Sequence, residues 1–221
     1  MNEQWKRPLM IALCGVDGVG KTSLFRMLSE RLKEPEFVFV SRGPSDSERL
    51  IERRFPRLFG DWRDWVEGEH AEALALACAM DYGVFYDRQI KPLLEAESQH
   101  PRAIITDRHA ICFLAYARCN RSPNSLAVTL LETFPPPDVI FYVTVPEDVV
   151  QQRIKADPNH KFDEWEAIEP QRLMLESYRK MLRPLSDRVI NIDNTGPIDV
   201  TCERIAAEIS NVVSRGHAHA R

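Results

Sequence analysis

Residues 15–23 read GVDGVGKTS, an order of residue types suited to holding a polyphosphate. It matches G-x-x-x-x-G-K-[ST], in which main-chain amides wrap around a nucleotide's phosphates. Gly15, Gly18 and Gly20 let the backbone turn with positive φ and keep side chains out of the space between amide and anion. The amides from Val19 through Ser23 would then face the phosphates, with the helix opening near Lys21 aiming its positive dipole end at them. Lys21 is placed to bridge the terminal phosphates as a point charge, and the Thr22 hydroxyl to ligate a Mg²⁺ shared with them. A ligand-free glycine turn is the bland alternative, but it does not require Lys-Thr at these offsets.

A second group lies further along. Residues 103–107, AIITD, form an apolar run ending in a carboxylate, which suits Asp107 to the metal side of a phosphate site. Arg108 would project into the cleft, where a guanidinium binds phosphate bidentately or steadies charge on a transferring group. The alternative for Asp107 and Arg108 is a strand end capped by a surface ion pair.

These groups need a scaffold. Apolar, β-branched and aromatic runs recur at 9–13, 37–40, 103–106, 139–145 and 189–192, with helical segments between them. Such runs fit strands buried on both faces of a parallel sheet, and each gap is long enough for a crossover helix. The expected architecture is α/β: a three-layer α/β/α domain with the phosphate loop at the carboxyl end of the first of five strands. Residues 69–94 carry apolar positions at helical spacing and then Pro92, predicting a long helix across the sheet's top. Residues 156–170 are polar, proline-bounded and mixed in charge, and read as a flap.

With 221 residues, 44% of them apolar, the chain suits one domain over 1–221 with a sizeable core. A net charge of −4 argues against nucleic acid as an extended partner, since a phosphate backbone calls for a basic face. The five cysteines are scattered without C-x-x-C spacing, so they read as reduced thiols rather than a zinc site or a disulfide framework. No apolar run reaches the length of a membrane span and no signal-peptide pattern opens the chain, so a cytoplasmic location without membrane partners is expected. The end of the chain, 216–221, with His217 and His219, reads as a frayed tail.

GVDGVGKTS, Ser41-Arg42, Asp107-Arg108 followed by Leu114-Ala115-Tyr116, and Val145-Pro146-Glu147 with Arg153 six residues on together resemble thymidylate kinase and its nucleoside-monophosphate kinase relatives. The resemblance spans residues 9 to about 208. It implies a P-loop kinase fold, ATP and Mg²⁺ as cofactors, and transfer of the γ-phosphoryl group to a small nucleotide-like acceptor. Residue by residue, it implies Asp17 on an acceptor sugar hydroxyl, Arg42 and Arg108 near the acceptor phosphate, and Arg153 against adenine. Asn194, at the end of the last strand run, falls where relatives contact adenine largely through backbone. A homodimer through helices beside the sheet is the state implied by analogy.

Departures from the family pattern concern the acceptor. Ser41-Arg42-Gly43-Pro44 stands where the family shows Thr-Arg-Glu-Pro. Cys78 and Tyr82 take the places of a thymine-stacking Phe and of the Arg four residues later. His109, Cys112, Phe113 and Ala117 replace Tyr, Ser, Ser and Gln. Stacking is worth about 1–3 kcal/mol per base, so losing Phe, Arg and Gln together should weaken thymine reading. Tyr82, Tyr86, His109 and Tyr116 are offered instead as ring faces or hydrogen-bond partners, with core packing as the alternative for Tyr82 and Tyr86. The acceptor atom is then a phosphate oxygen, needing no strong base, or a hydroxyl, whose proton Asp17 or Asp107 would take. A kinase of an unphosphorylated nucleoside or nucleoside-like metabolite is the alternative reading. A nucleotide-gated switch is a third. Lys155, His160 and Lys161 would close with the flap, which lacks the arginines some relatives carry there.

Overall fold

Every residue of the first strand, β1 (Leu9–Cys14), is buried, so this segment needs neighbours on both edges and cover on both faces. A computed structural model, describing residues 7–33, 35–41, 71–96, 101–119, 125–156 and 168–218, shows what provides them. β3 (Ala103–Thr106) pairs along one edge and β4 (Val139–Thr144) along the other. β2 (Phe37–Val40) lies beyond β3, and β5 (Val189–Asp193) beyond β4. The result is a five-stranded sheet in the order β2-β3-β1-β4-β5, parallel throughout. All five expected strands are present. β2 and β3 have the bounds read from the sequence, and the others differ by one residue at their carboxyl ends.

Parallel neighbours cannot be joined by a tight hairpin, so the chain returns across the sheet between them. The helices are α1 (Lys21–Arg31), α2 (Ala71–Phe85), α3 (Ala110–Cys119), α4 (Leu126–Glu132), α5 (Glu147–Ala156), α6 (Ile168–Leu182) and α7 (Ile198–Ala218). α1 packs with α7, while α2, α3, α4 and α6 pack among themselves, completing the α/β/α arrangement. Because all strands run the same way, their carboxyl ends line one rim. That rim carries the loop after Cys14, Ser41, Asp107, Val145 and Asn194.

The long helix read from residues 69–94 is present from Ala71, with one feature the periodicity did not reveal. After Phe85 the backbone widens into a π-turn, Tyr86–Ile90, and closes with the helical turn Lys91–Leu94. The Lys91 amide reaches back to the Tyr86 carbonyl. Pro92 lacks an N–H and crowds the preceding turn, and the widened turn lets the helix run past it.

Two expectations fall largely outside the described residues. Of the flap at 156–170, Ala156 closes α5 and Ile168 opens α6, and 157–167 are not described. Arg42 is likewise outside. α7 extends to Ala218, so the tail expected from residue 216 overlaps the last helical turn. None of the five cysteines forms a disulfide, and Cys14, Cys112 and Cys202 are buried. Among the described residues, no helix is long and apolar enough to cross a membrane.

Candidate active site

The loop after β1 takes its shape from what surrounds it. Gly15 has φ +147°, and a Cβ there would lie 2.4 Å from the Val143 carbonyl oxygen of β4. Only glycine lets the loop leave the sheet so close to its neighbour's backbone. Gly20 has φ +93°, with a Cβ position 2.7 Å from the Asn194 side-chain nitrogen. It turns the chain into α1, whose first bond runs from the Leu24 amide to the Gly20 carbonyl at 3.0 Å. Gly18 also has a positive φ. Val19 is buried beneath the loop, while Thr22 and Ser23 are exposed on the first turn of α1. An opening helix with uncapped amides is an anion site.

Asp17 is the hub of the charged groups. Its Oδ1 accepts from Arg108 at 3.0 Å and from Lys21 Nζ at 3.4 Å, and its Oδ2 accepts from the Tyr116 hydroxyl. Lys21 Nζ also donates to the Val16 carbonyl at 2.7 Å. Burial would by itself raise the Asp17 carboxyl, but Arg108, then Lys21 and the Tyr116 hydroxyl, outweigh it and hold the group well below the usual carboxylate range. Burial lowers the Lys21 ammonium, opposed by Asp17. The Asp17 charge in turn raises Arg108. Two basic side chains therefore converge on one carboxylate beside the loop, a fixed charge arrangement suited to stabilising developing phosphoryl charge.

On the other side of the loop, Arg153 from α5 donates to the Asn194 carbonyl at 2.7 Å and to the Val19 carbonyl at 3.4 Å. The Asn194 side chain donates to the same Val19 oxygen at 2.8 Å. Arg153 is thus engaged with the loop. At the tip of β3, Asp107 Oδ2 accepts from the Ser41 hydroxyl at 3.2 Å. Arg108 pairs with Asp17, so the surface-pair alternative for the adjacent Asp107 and Arg108 does not describe the Arg108 guanidinium.

Among the residues offered for the acceptor, Tyr82 is fully buried. Its ring packs against Phe85, Tyr86, His109, Phe113 and Phe134, with centroids 4.9–6.3 Å away. It presents no open face, and its hydroxyl makes no well-formed hydrogen bond. His109 is also buried, with Nδ1 accepting from the Ile111 amide at 3.2 Å. Burial lowers its pKa to about 3, with the Pro135 carbonyl offsetting only part, so the ring is neutral. Tyr86 and Tyr116 are half-buried. The core-packing alternative thus describes Tyr82 as the chain is folded here, while Tyr116 reaches the cleft through Asp17.

The Tyr178 brace and the Cys14–Cys112 contact escaped the sequence reading. Tyr178 of α6 is buried and donates to the Gly15 carbonyl at 3.2 Å, bracing the root of the loop. The signal for it was the spacing of Met174, Tyr178 and Met181, all buried on one helical face. Cys14 and Cys112, buried with sulfurs 3.6 Å apart, pack just behind that root; nothing in their spacing joined them.

Comparison with known proteins agrees with this geometry. A family model described as thymidylate kinase matches residues 13–205. A thymidylate kinase of Latilactobacillus sakei is 25% identical, covering 95% of this chain and 96% of its own. One from Fervidobacterium nodosum is 25% identical, covering 92% and 98%, and one from Geobacillus thermodenitrificans 26% identical, covering 93% and 92%. Matched by that family model over most of its length, the chain belongs to the thymidylate kinase family and is an ATP-dependent nucleoside monophosphate kinase of the P-loop class.

Proposed function

We propose that this kinase phosphorylates a nucleoside monophosphate other than dTMP, and the observation that carries the reading is the complete burial of Tyr82 among aromatic rings. The family resemblance puts a base-contacting Arg at that position and a stacking Phe at Cys78. Here one is a neutral ring with no exposed face and the other a half-buried thiol. A site lacking a polar group that reads the base loses far more discrimination than one lacking a methylene. The acceptor side is then built by Asp17, Arg108 and Tyr116, with Arg42 assigned there by the resemblance. Tyr82 and His109 form the wall behind rather than a stacking face.

The state of Asp17 favours a phosphate acceptor over a hydroxyl. A general base works best with a pKa near the operating pH, and Asp17 is held far below that by Arg108 and Lys21. A monophosphate oxygen is already ionised and needs only alignment with the γ-phosphorus. Arg108 and Lys21 supply positive charge around the transferring group. Arg153 and the backbone at Asn194 serve the adenine side, and the loop amides from Gly15 to Ser23 hold the phosphates.

A magnesium ion fits the donor set. The exposed Thr22 hydroxyl and the Asp107 carboxylate are hard oxygen donors, and among the described residues no cluster of three metal-ligating side chains occurs. That suits an ion that keeps waters and takes most of its shell from phosphate oxygens. When bound it would neutralise phosphate charge. A cytoplasmic homodimer belongs to the same reading. Met80 and Val84, one turn apart on α2 and 49% and 45% exposed, offer an apolar strip for a second copy.

Thermal-shift titration with nucleosides, their monophosphates and deoxy forms, each with a non-hydrolysable ATP analogue and Mg²⁺, tests this. A monophosphate other than dTMP should raise the melting temperature most. The largest shift from dTMP would overturn the altered base pocket, and a nucleoside outperforming its monophosphate would favour the hydroxyl-acceptor alternative.

A further inference from the structure

We infer that Asn194 is a positioning residue for the phosphate loop, its side-chain amide fixing the peptide between Val19 and Gly20 so that the Gly20 N–H points at the donor's phosphates. The inference rests on the reading of residues 15–23 as the loop that binds those phosphates. A peptide unit is planar and trans, so its carbonyl and its N–H point in opposite directions. Asn194 Nδ2 donates to the Val19 carbonyl at 2.8 Å and Arg153 adds a longer contact at 3.4 Å. Pulling that oxygen toward β5 and α5 turns the Gly20 N–H to the opposite side, into the hollow of the loop.

Asn194 is itself held on three sides. Its backbone amide donates to the Thr144 carbonyl at 2.9 Å, its carbonyl accepts from Arg153 at 2.7 Å, and it has no exposed surface. The absent Cβ of Gly20 leaves room for its amide at 2.7 Å. The other end of the carboxamide is poorly served, because Oδ1 is buried without a hydrogen-bond partner. An unsatisfied buried oxygen costs the fold, so the carboxamide is better explained by what its nitrogen does for the loop than by stability. Arg153 is the residue assigned to the adenine ring. If it leaves the Val19 carbonyl to stack there, Asn194 alone continues to hold that peptide.

The test compares binding of magnesium tripolyphosphate and of adenosine by calorimetry in the unmodified protein and two variants, with melting temperatures measured alongside. Asn194→Leu keeps the branched shape and removes both polar atoms. Asn194→Ala also opens space, so the Leu variant carries the result if the Ala variant folds poorly. Tripolyphosphate should bind roughly tenfold or more weakly in Asn194→Leu while adenosine changes less than twofold, both measured well below the melting temperature of each variant. In turnover, the KM for ATP should rise and that for the acceptor should not. Unchanged tripolyphosphate affinity in the Leu variant would overturn the inference, as would an equal loss of adenosine binding. If the unmodified protein binds no tripolyphosphate, the phosphate-loop reading falls instead.

Discussion

Asp17 and Arg108 are 91 residues apart in the chain and 3.0 Å apart in space. The sheet explains the meeting. β1 and β3 are adjacent and parallel, with Ala12 opposite Thr106, so the loops leaving their carboxyl ends emerge side by side. The pair joins the phosphate loop to the loop that follows β3, and four expectations follow from it and its surroundings.

Lys21→Ala should abolish phosphoryl transfer, with kcat lower by at least roughly 10²–10³-fold, the range seen on removing one group that stabilises transition-state charge. The ammonium is buried against the Val16 carbonyl and Asp17, and burial already disfavours its charge. The variant should therefore stay folded by circular dichroism. A coupled assay of ADP release showing turnover like that of the unmodified protein would remove Lys21 from the mechanism.

Asp17→Asn should cost about 1.5–3 kcal/mol, the range for a hydrogen bond to a charged group, because Arg108 and Lys21 would lose their shared counter-charge. The Asp17 pKa is depressed in the folded protein. Its contribution is therefore fully present above the unfolded carboxylate pKa, near 4, and fades as pH falls through the folded value. The stability gap between Asp17→Asn and the unmodified protein should be largest at neutral pH and shrink below about pH 4, read by denaturant titration at several pH values.

His109 gives the opposite end of the acid profile. Its folded pKa is about 3 because the ring is buried, whereas an unfolded histidine titrates near 6.5. Between those values the unfolded chain binds the extra proton, so this residue makes stability fall as pH decreases from about 6.5 toward 3. At about 1.4 kcal/mol per pH unit, the loss between pH 6.5 and 5 is roughly 2 kcal/mol. His109→Phe should flatten that stretch of the curve, and an unchanged slope would show that the ring is not protected from protonation.

Gly15→Ala should lower the melting temperature by roughly 5–10 °C, taking about 2–4 °C per kcal/mol for a domain of this size. The methyl would meet the Val143 carbonyl at 2.4 Å, and backbone oxygen cannot step aside as a flexible side-chain end can. Nucleotide affinity should fall with it, because the displaced root is the one Tyr178 braces. Differential scanning fluorimetry with and without ATP separates the two effects.

Local chemistry wrote much of this protein into its sequence. The strand runs, the glycine spacing before Lys21 and the helical periodicities report on the backbone of their own segments, so the parallel α/β sheet and the phosphate loop could be read directly. Pairings between segments were decided by tertiary structure. Asp17 meets Arg108 and Tyr116, Asn194 and Arg153 share the Val19 carbonyl, and Tyr178 reaches Gly15 only because sheet order and crossovers bring distant ends to one rim. Tyr82 shows the same limit from the other side. Its type and position suited a base-stacking ring as well as a core residue, and what settled its burial was the packing of α3 and the Phe134 turn against α2, which no single segment encodes.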